Sequence, residues 1–159
     1  MGQIKYDVDF INPFLYAVVH VLQTMAHVEA KSDQPYLNEE RKSTGDVTGI
    51  IGITGYSKGT MSITLEKDVI LKIVNNMLFE DYSEINDDIC DAVGELTNMI
   101  SGQARARLSE QGKNFEASTP TIFSGRGVEI KHVSKAPVLS IPFTTAEGRF
   151  VVEVAFESN

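Results

Sequence analysis

At Val47 the spacing of apolar residues switches from a helical repeat to a repeat of two. That switch limits the fold more than any other feature of the chain. Val47, Gly49, Ile51 and Ile53 alternate with Thr48, Ile50, Gly52 and Thr54. After the turn formers of Gly55 to Gly59, Met61, Ile63 and Leu65 alternate with Thr60, Ser62 and Thr64. Two alternating runs around a short glycine-bounded loop are the pattern of a β-hairpin. On both sides of it the period is helical. Phe14, Leu15, Val18, Val19, Leu22 and Met25 recur at helix spacing, with Asn12 as a cap and Pro13 in the first turn. Residues 31–46 read as a polar loop with room for a short strand near Tyr36. A second helix is predicted from about Lys67 to Leu78, with Val69, Ile70, Ile73, Val74 and Met77 inward.

Beyond a polar break, Ser83 is the expected N-cap of a third helix. Glu84, Asp87, Asp88 and Asp91 crowd its first turns, where the helix dipole favours acids. It should run to Gly112 and form the longest element of the chain. After Pro120 the pattern is β again, near Thr121–Ser124, Val138–Phe143 and Phe150–Phe156, with Gly148 turning between the last two. Pro142 should end its strand or lie at an edge. The order α-β-β-α-α-β-β-β, rich in hairpins, predicts one α+β domain over residues 1–159. Its largely antiparallel sheet carries a long helix and further helices packed on it.

Charge narrows the function classes. Lys and Arg number 14 against 22 Asp and Glu, a net charge of −8. No basic stripe exists for a nucleic-acid backbone, and the sign disfavours an anionic membrane surface. The longest apolar stretch, Phe14 to Met25, is interrupted by His20 and Gln23 and is too short to span a bilayer. The single cysteine, Cys90, excludes an intrachain disulfide and fits a reducing compartment, so a cytoplasmic protein is expected. His20 and His27 lie two turns apart and His132 elsewhere, so no metal site is expected. Glycines 49, 52, 55 and 59 fall in the hairpin rather than in a phosphate-binding loop, and no nucleophile elbow is present. Ser124 to Gly127 reads as a turn, with an anion-binding nest as the alternative.

The third helix carries the informative pattern. At about 100° per residue, with Asp91 at zero, Glu95 falls near about +40°, Asn98 near about −20°, Gly102 near about +20° and Arg105 near about −40°. Ile89, Val93, Leu96, Ile100 and Ala104 gather on the opposite side. Glu95 and Asn98 therefore point away from the core, one turn apart. Gly94 and Gly102 flank them, each costing roughly 1 kcal/mol relative to alanine inside a helix. Their lack of side-chain bulk serves either a close contact within the domain or the approach of another molecule.

At these residues the sequence resembles the chemotaxis phosphatases CheC, CheX and FliY. Their signature is Asp or Ser, three residues, Glu, two residues, Asn, and a proline further on. Asp91, Glu95 and Asn98 match without a gap, and Pro120 falls close to the expected place. The context of Gly94 to Met99, the segment Ser124–Arg126, the start of the first helix and the Ile51–Gly55 hairpin are similar to CheX in particular. The single copy of the signature also fits CheX, because CheC-like chains carry two. The resemblance implies a homodimer with one site per subunit. Its implied substrate is the aspartyl phosphate of CheY, a response-regulator receiver domain. CheY would supply the phosphorylated Asp, the Mg²⁺ and a lysine, so the chain would need no cofactor of its own. Asn98 would orient the attacking water, since a neutral amide both donates and accepts. Glu95 would pair with the lysine. Asp91, Gly94, Gly102, Arg105 and Pro120 would serve contact with the partner. The alternative is a receiver-binding adaptor without catalysis.

Overall fold

A computed structural model describes residues 6–38, 44–128 and 136–157. Its elements in chain order are α1 (Val8–Ala26), β1 (Lys31–Ser32), β2 (Tyr36–Asn38), β3 (Val47–Gly55), β4 (Gly59–Leu65), α2 (Lys67–Leu78), α3 (Asp87–Ser109), β5 (Phe115–Ala117), β6 (Thr121–Ser124), β7 (Val138–Thr145) and β8 (Gly148–Phe156). The strands form one antiparallel sheet in the order β1-β7-β8-β4-β3-β5, with β2 also paired to β7 and β6 also paired to β3. The fold is thus α+β, as the periodicity implied. Among the described residues no helix is long and apolar enough to cross a membrane.

Register explains why the helices collect where they do. Ile51, Met61, Val154 and Leu139 are successive cross-strand neighbours, and so are Val47, Leu65, Phe150 and Phe143. These rows make one apolar face, and all of these residues are buried. Phe10, Phe14, Val18 and Leu22 of α1 and Val69, Ile70, Ile73 and Val74 of α2 join them in a common core. Phe10, Phe14, Phe115 and Phe156 meet at centroid distances of 5.3 to 6.5 Å, in the tilted and edge-on arrangements that aromatic rings favour. The other face carries a polar row of Ser62, Glu153 and Ser140. There Glu153 Oε2 accepts from Asn38 Nδ2 at 2.7 Å and from Ser140 Oγ.

Several boundaries differ from the sequence expectations. α1 begins four residues before Asn12, because Asp7 caps it by accepting from Phe10 N–H at 3.1 Å. Pro13 therefore lies inside the helix and cannot donate to the carbonyl of Asp9. Gln111 Nε2 does so in its place, at 2.7 Å. Val19 and Met25, counted in the apolar repeat of this helix, are 40% and 47% exposed. α3 is capped by Asn86, which accepts from Ile89 N–H at 2.9 Å, rather than by Ser83. Glu84 is outside the helix and bonds Lys67 at 2.8 Å instead. The helix ends at Ser109, and Gly112 then turns the chain with φ of 79°. β7 does not end at Pro142. The strand passes through it, opposite Val151, and Pro142 lies where neither β1 nor β2 is in register on the other side, so its missing N–H breaks no ladder. β1 and β5 fall in segments without a strand pattern.

Candidate functional site

The exposed face of α3 is fixed by how its other face is seated. On the sheet's helix side, Ile122 of β6 is the neighbour of Gly49 of β3. A Cβ on Gly49 would run into Thr97 Oγ1, so the absent side chain is the space α3 occupies. Thr97 is buried and donates to the Val93 carbonyl at 2.7 Å, which keeps its polar atom satisfied there. The match is reversed a turn earlier. Gly94 is buried beneath Ile122, whose nearest carbon lies 3.5 Å from the place of a glycine Cβ. A side chain on the sheet meets a gap on the helix, and a side chain on the helix meets a gap on the sheet. Ile89, Val93, Leu96, Ile100, Ala104 and Leu108 are buried along the same side. This interlock sets the rotation of α3 about its axis.

The residues that follow the two seated positions, Glu95 and Asn98, are therefore turned out. Both are exposed, as is Asp91 one turn earlier. Neither the carboxylate of Glu95 nor the amide of Asn98 has a side-chain hydrogen-bond partner among the described residues. Gly102 is partly exposed, and Arg105 lies half-buried beside it with Nε donating to Ser101 Oγ at 3.2 Å. Pro120 is half-buried and immediately precedes β6, so it flanks α3 through the strand that packs on Gly94. The structure thus brings Asp91, Glu95, Asn98, Gly102 and Arg105 onto one surface. Gly94 departs from the expectation of partner contact, because its missing side chain is used by Ile122 within the chain.

Around this face the remaining groups are structural. Cys90 is half-buried, with Sγ 3.9 Å from Ser124 Oγ. The Ser124–Gly127 segment is a turn, with φ of 119° at Gly125 and 70° at Gly127. Its arginine is engaged: Arg126 Nε donates to Asp46 Oδ1 at 2.8 Å and Nη2 to Oδ2 at 3.3 Å. That hydrogen bond with Arg126 holds the Asp46 carboxyl below its ordinary value. Asp46 also accepts from Lys67 N–H at the start of α2. His20 stacks on Tyr16 at 5.1 Å, and Arg107 sits 3.3 Å over the same Tyr16 ring, tying α1 to α3. Among the described residues no group of three or more His, Cys, Asp or Glu side chains is placed to hold a metal ion. Sequence reasoning passed over Ser101, although its spacing of four from Arg105 allows a contact on one helix face.

Fold and site together define an antiparallel α+β protein that presents a carboxylate and an amide one turn apart on a helix seated against its sheet, both unengaged among the described residues. The chain belongs to the chemotaxis phosphatase CheX family, whose model matches residues 47–144. It is similar to the CheY-P phosphatase CheX of Thermotoga maritima, 27% identical over 139 residues, covering 87% of this chain and 88% of that one. It is also similar to a chemotaxis protein CheX from Desulfovibrio desulfuricans, 45% identical with a TM-score of 0.87, covering 94% and 100% of the two chains. A third relative is CheX in the crystal structure of the CheX–CheY–BeF3–Mg2+ complex from Borrelia burgdorferi. It is 25% identical with a TM-score of 0.80, covering 96% of this chain and 100% of that one.

Proposed function

We propose that this chain accelerates hydrolysis of the aspartyl phosphate of a CheY-like receiver domain, with Asn98 orienting the attacking water and Glu95 paired to a lysine of the receiver. Family membership and the relatives named for CheY-P phosphatase activity and for a complex with CheY support the substrate class. The observation that carries the mechanism is the pair itself. Glu95 and Asn98 face solvent from the same side of α3, and nothing among the described residues engages either. A side chain with an internal partner would first have to give it up; these two do not.

The division of labour follows from the chemistry. An acyl phosphate is already activated, so the partner contributes the phosphoryl group, its Mg²⁺ and a lysine, and this chain contributes position. The Asn98 amide accepts from one water proton or donates to the water oxygen without gaining charge. Glu95, brought against a lysine at a dewatered interface, fixes the register of Asn98 along the helix. Pairing of two copies, with one site in each, and a cytoplasmic setting belong to the same proposal.

Single-turnover decay of a phosphorylated receiver tests it. Asn98→Ala is expected to keep binding of the receiver and to lose most of the acceleration, while Glu95→Ala loses both. Full activity in Asn98→Ala discards the assignment. Saturable binding with unchanged decay in the unsubstituted chain replaces the phosphatase with an adaptor.

A further inference from the structure

Arg105 carries a positive charge on the exposed face of α3. Its Nε is bonded back to Ser101, and Nη2 lies 3.8 Å from the point where Gly102 would bear a Cβ. The guanidinium therefore lies back over the preceding turn, beside the bare glycine, on the face that carries Asn98 one turn beyond Gly102. Among the described residues the terminal nitrogens have no hydrogen-bond partner. Compensation of the helix dipole does not explain this arrangement. A cation serving that end belongs near the last carbonyls, and Arg107 already stands in the last turn. Arg105 instead brings its charge back toward the middle of a face whose other charges, Asp87, Asp88, Asp91 and Glu95, are acidic.

We propose that Arg105 is a docking and selection residue, its free guanidinium edge receiving a carboxylate side chain on the surface of the receiver domain. The inference rests on the receiver-phosphatase reading above and adds what distinguishes one receiver from another. With Nε held by Ser101, the two terminal nitrogens remain as a planar fork that suits the two oxygens of a carboxylate. Gly102 leaves the fork room to lie flat. A receiver with an acid at the matching point is drawn into register with Asn98. One with a lysine or arginine there meets like charge and is turned away.

The test uses the full chain and a phosphorylated receiver domain whose decay it accelerates. Arg105→Glu and Arg105→Gln are expected to lower kcat/KM by about tenfold or more through KM, with kcat within about twofold. The same variants should bind the beryllofluoride-loaded receiver correspondingly less tightly, at unchanged melting temperature. When surface acids of the receiver are changed to lysine one at a time, one of them should restore Arg105→Glu while weakening the unsubstituted chain. Unchanged kcat/KM in both Arg105 variants overturns the proposal. So does a fall in kcat alone, which would put the guanidinium on the phosphoryl group, and so does the absence of any charge-swap rescue. Failure of the unsubstituted chain to accelerate decay of any phosphorylated receiver is a different result. It removes the phosphatase reading, and binding to the beryllofluoride-loaded receiver then decides the role of Arg105 separately.

Discussion

Gly94 and Gly102 share a helix and an intrinsic cost, yet their alanine variants should behave differently. Each glycine in a helix interior costs about 1 kcal/mol relative to alanine. At Gly94 the added Cβ would lie 3.5 and 3.6 Å from two carbons of Ile122, which is ordinary contact in a buried setting. At Gly102 it would lie 3.8 Å from Arg105 Nη2, with no closer neighbour. Neither change forces a clash, so both variants should gain about 0.5–1 kcal/mol, raising the melting temperature by about 1–4 °C for a chain of this size. Function should separate them. The Gly94 methyl points into the chain's own β6, and Gly94→Ala should dephosphorylate the receiver at the unsubstituted rate. The Gly102 methyl stands on the proposed docking face. Overpacking of a close contact costs about 1–3 kcal/mol, so Gly102→Ala should lose roughly fivefold or more in kcat/KM while being the more stable protein. Calorimetry and single-turnover decay on the same preparations supply both numbers. A Gly94→Ala variant that melts lower would refute the seat described for α3. A stabilised and fully active Gly102→Ala would refute close approach at that point.

Two further outcomes follow from the packing. Gly49→Ala should destabilise by about 1–3 kcal/mol, read as a lower urea midpoint, because its Cβ collides with Thr97 Oγ1 and lies 3.1 Å from Ile122 Cδ1. It should also cost activity in molecules that remain folded, since α3 must lift or rotate to admit it. Asp46→Asn should lower stability near neutral pH by removing the ionic partner of Arg126. Its folded-state value is held below the ordinary 3.8, so its contribution is complete above that value and is lost as pH falls below it. The gap in urea midpoint between Asp46→Asn and the unsubstituted chain should therefore close below about pH 4, and a gap that widened there would contradict the assignment.

What could be read from the sequence is what short-range pattern determines. The β3–β4 hairpin was legible because a period of two holds through most of both strands, and the helix-facing residues Val47, Ile51, Met61, Ile63 and Leu65 are all buried. The outward direction of Glu95 and Asn98 followed from the helical period alone. The misreadings depend on partners distant in the chain. Pro13 reads as a helix start until Gln111, 98 residues later in the numbering, is seen to satisfy the Asp9 carbonyl in its place. Which of the two roles left open for Gly94 applies is decided only when β6 is paired with β3 and Ile122 comes to lie on it. β1 and β5 have two and three residues, too few to show a period, and exist because a longer strand offers them an edge.

On the proposed reading the chain supplies no group that makes or breaks a bond, so the rate it adds depends on how well Asn98 is held. A loop at the same spot would leave backbone freedom to be lost at each encounter. α3 has lost it already on folding. Thr97 and Gly94 are locked into the sheet, Leu96 and Ile100 lie in the core, and Glu95 and Asn98 keep only their side-chain torsions. Leaving two polar side chains in water costs the folded state little, because water satisfies them in the unfolded chain as well. The cost arises on docking, when Glu95 sheds its hydration, and a lysine set against it offsets that loss. An amide is the better neighbour for the phosphoryl group for the same reason. It carries no charge to dehydrate, and it adds no negative charge beside an anionic centre that water must approach. On that reading a face built from one carboxylate and one amide separates two tasks, with the charge fixing the register and the neutral group holding the water.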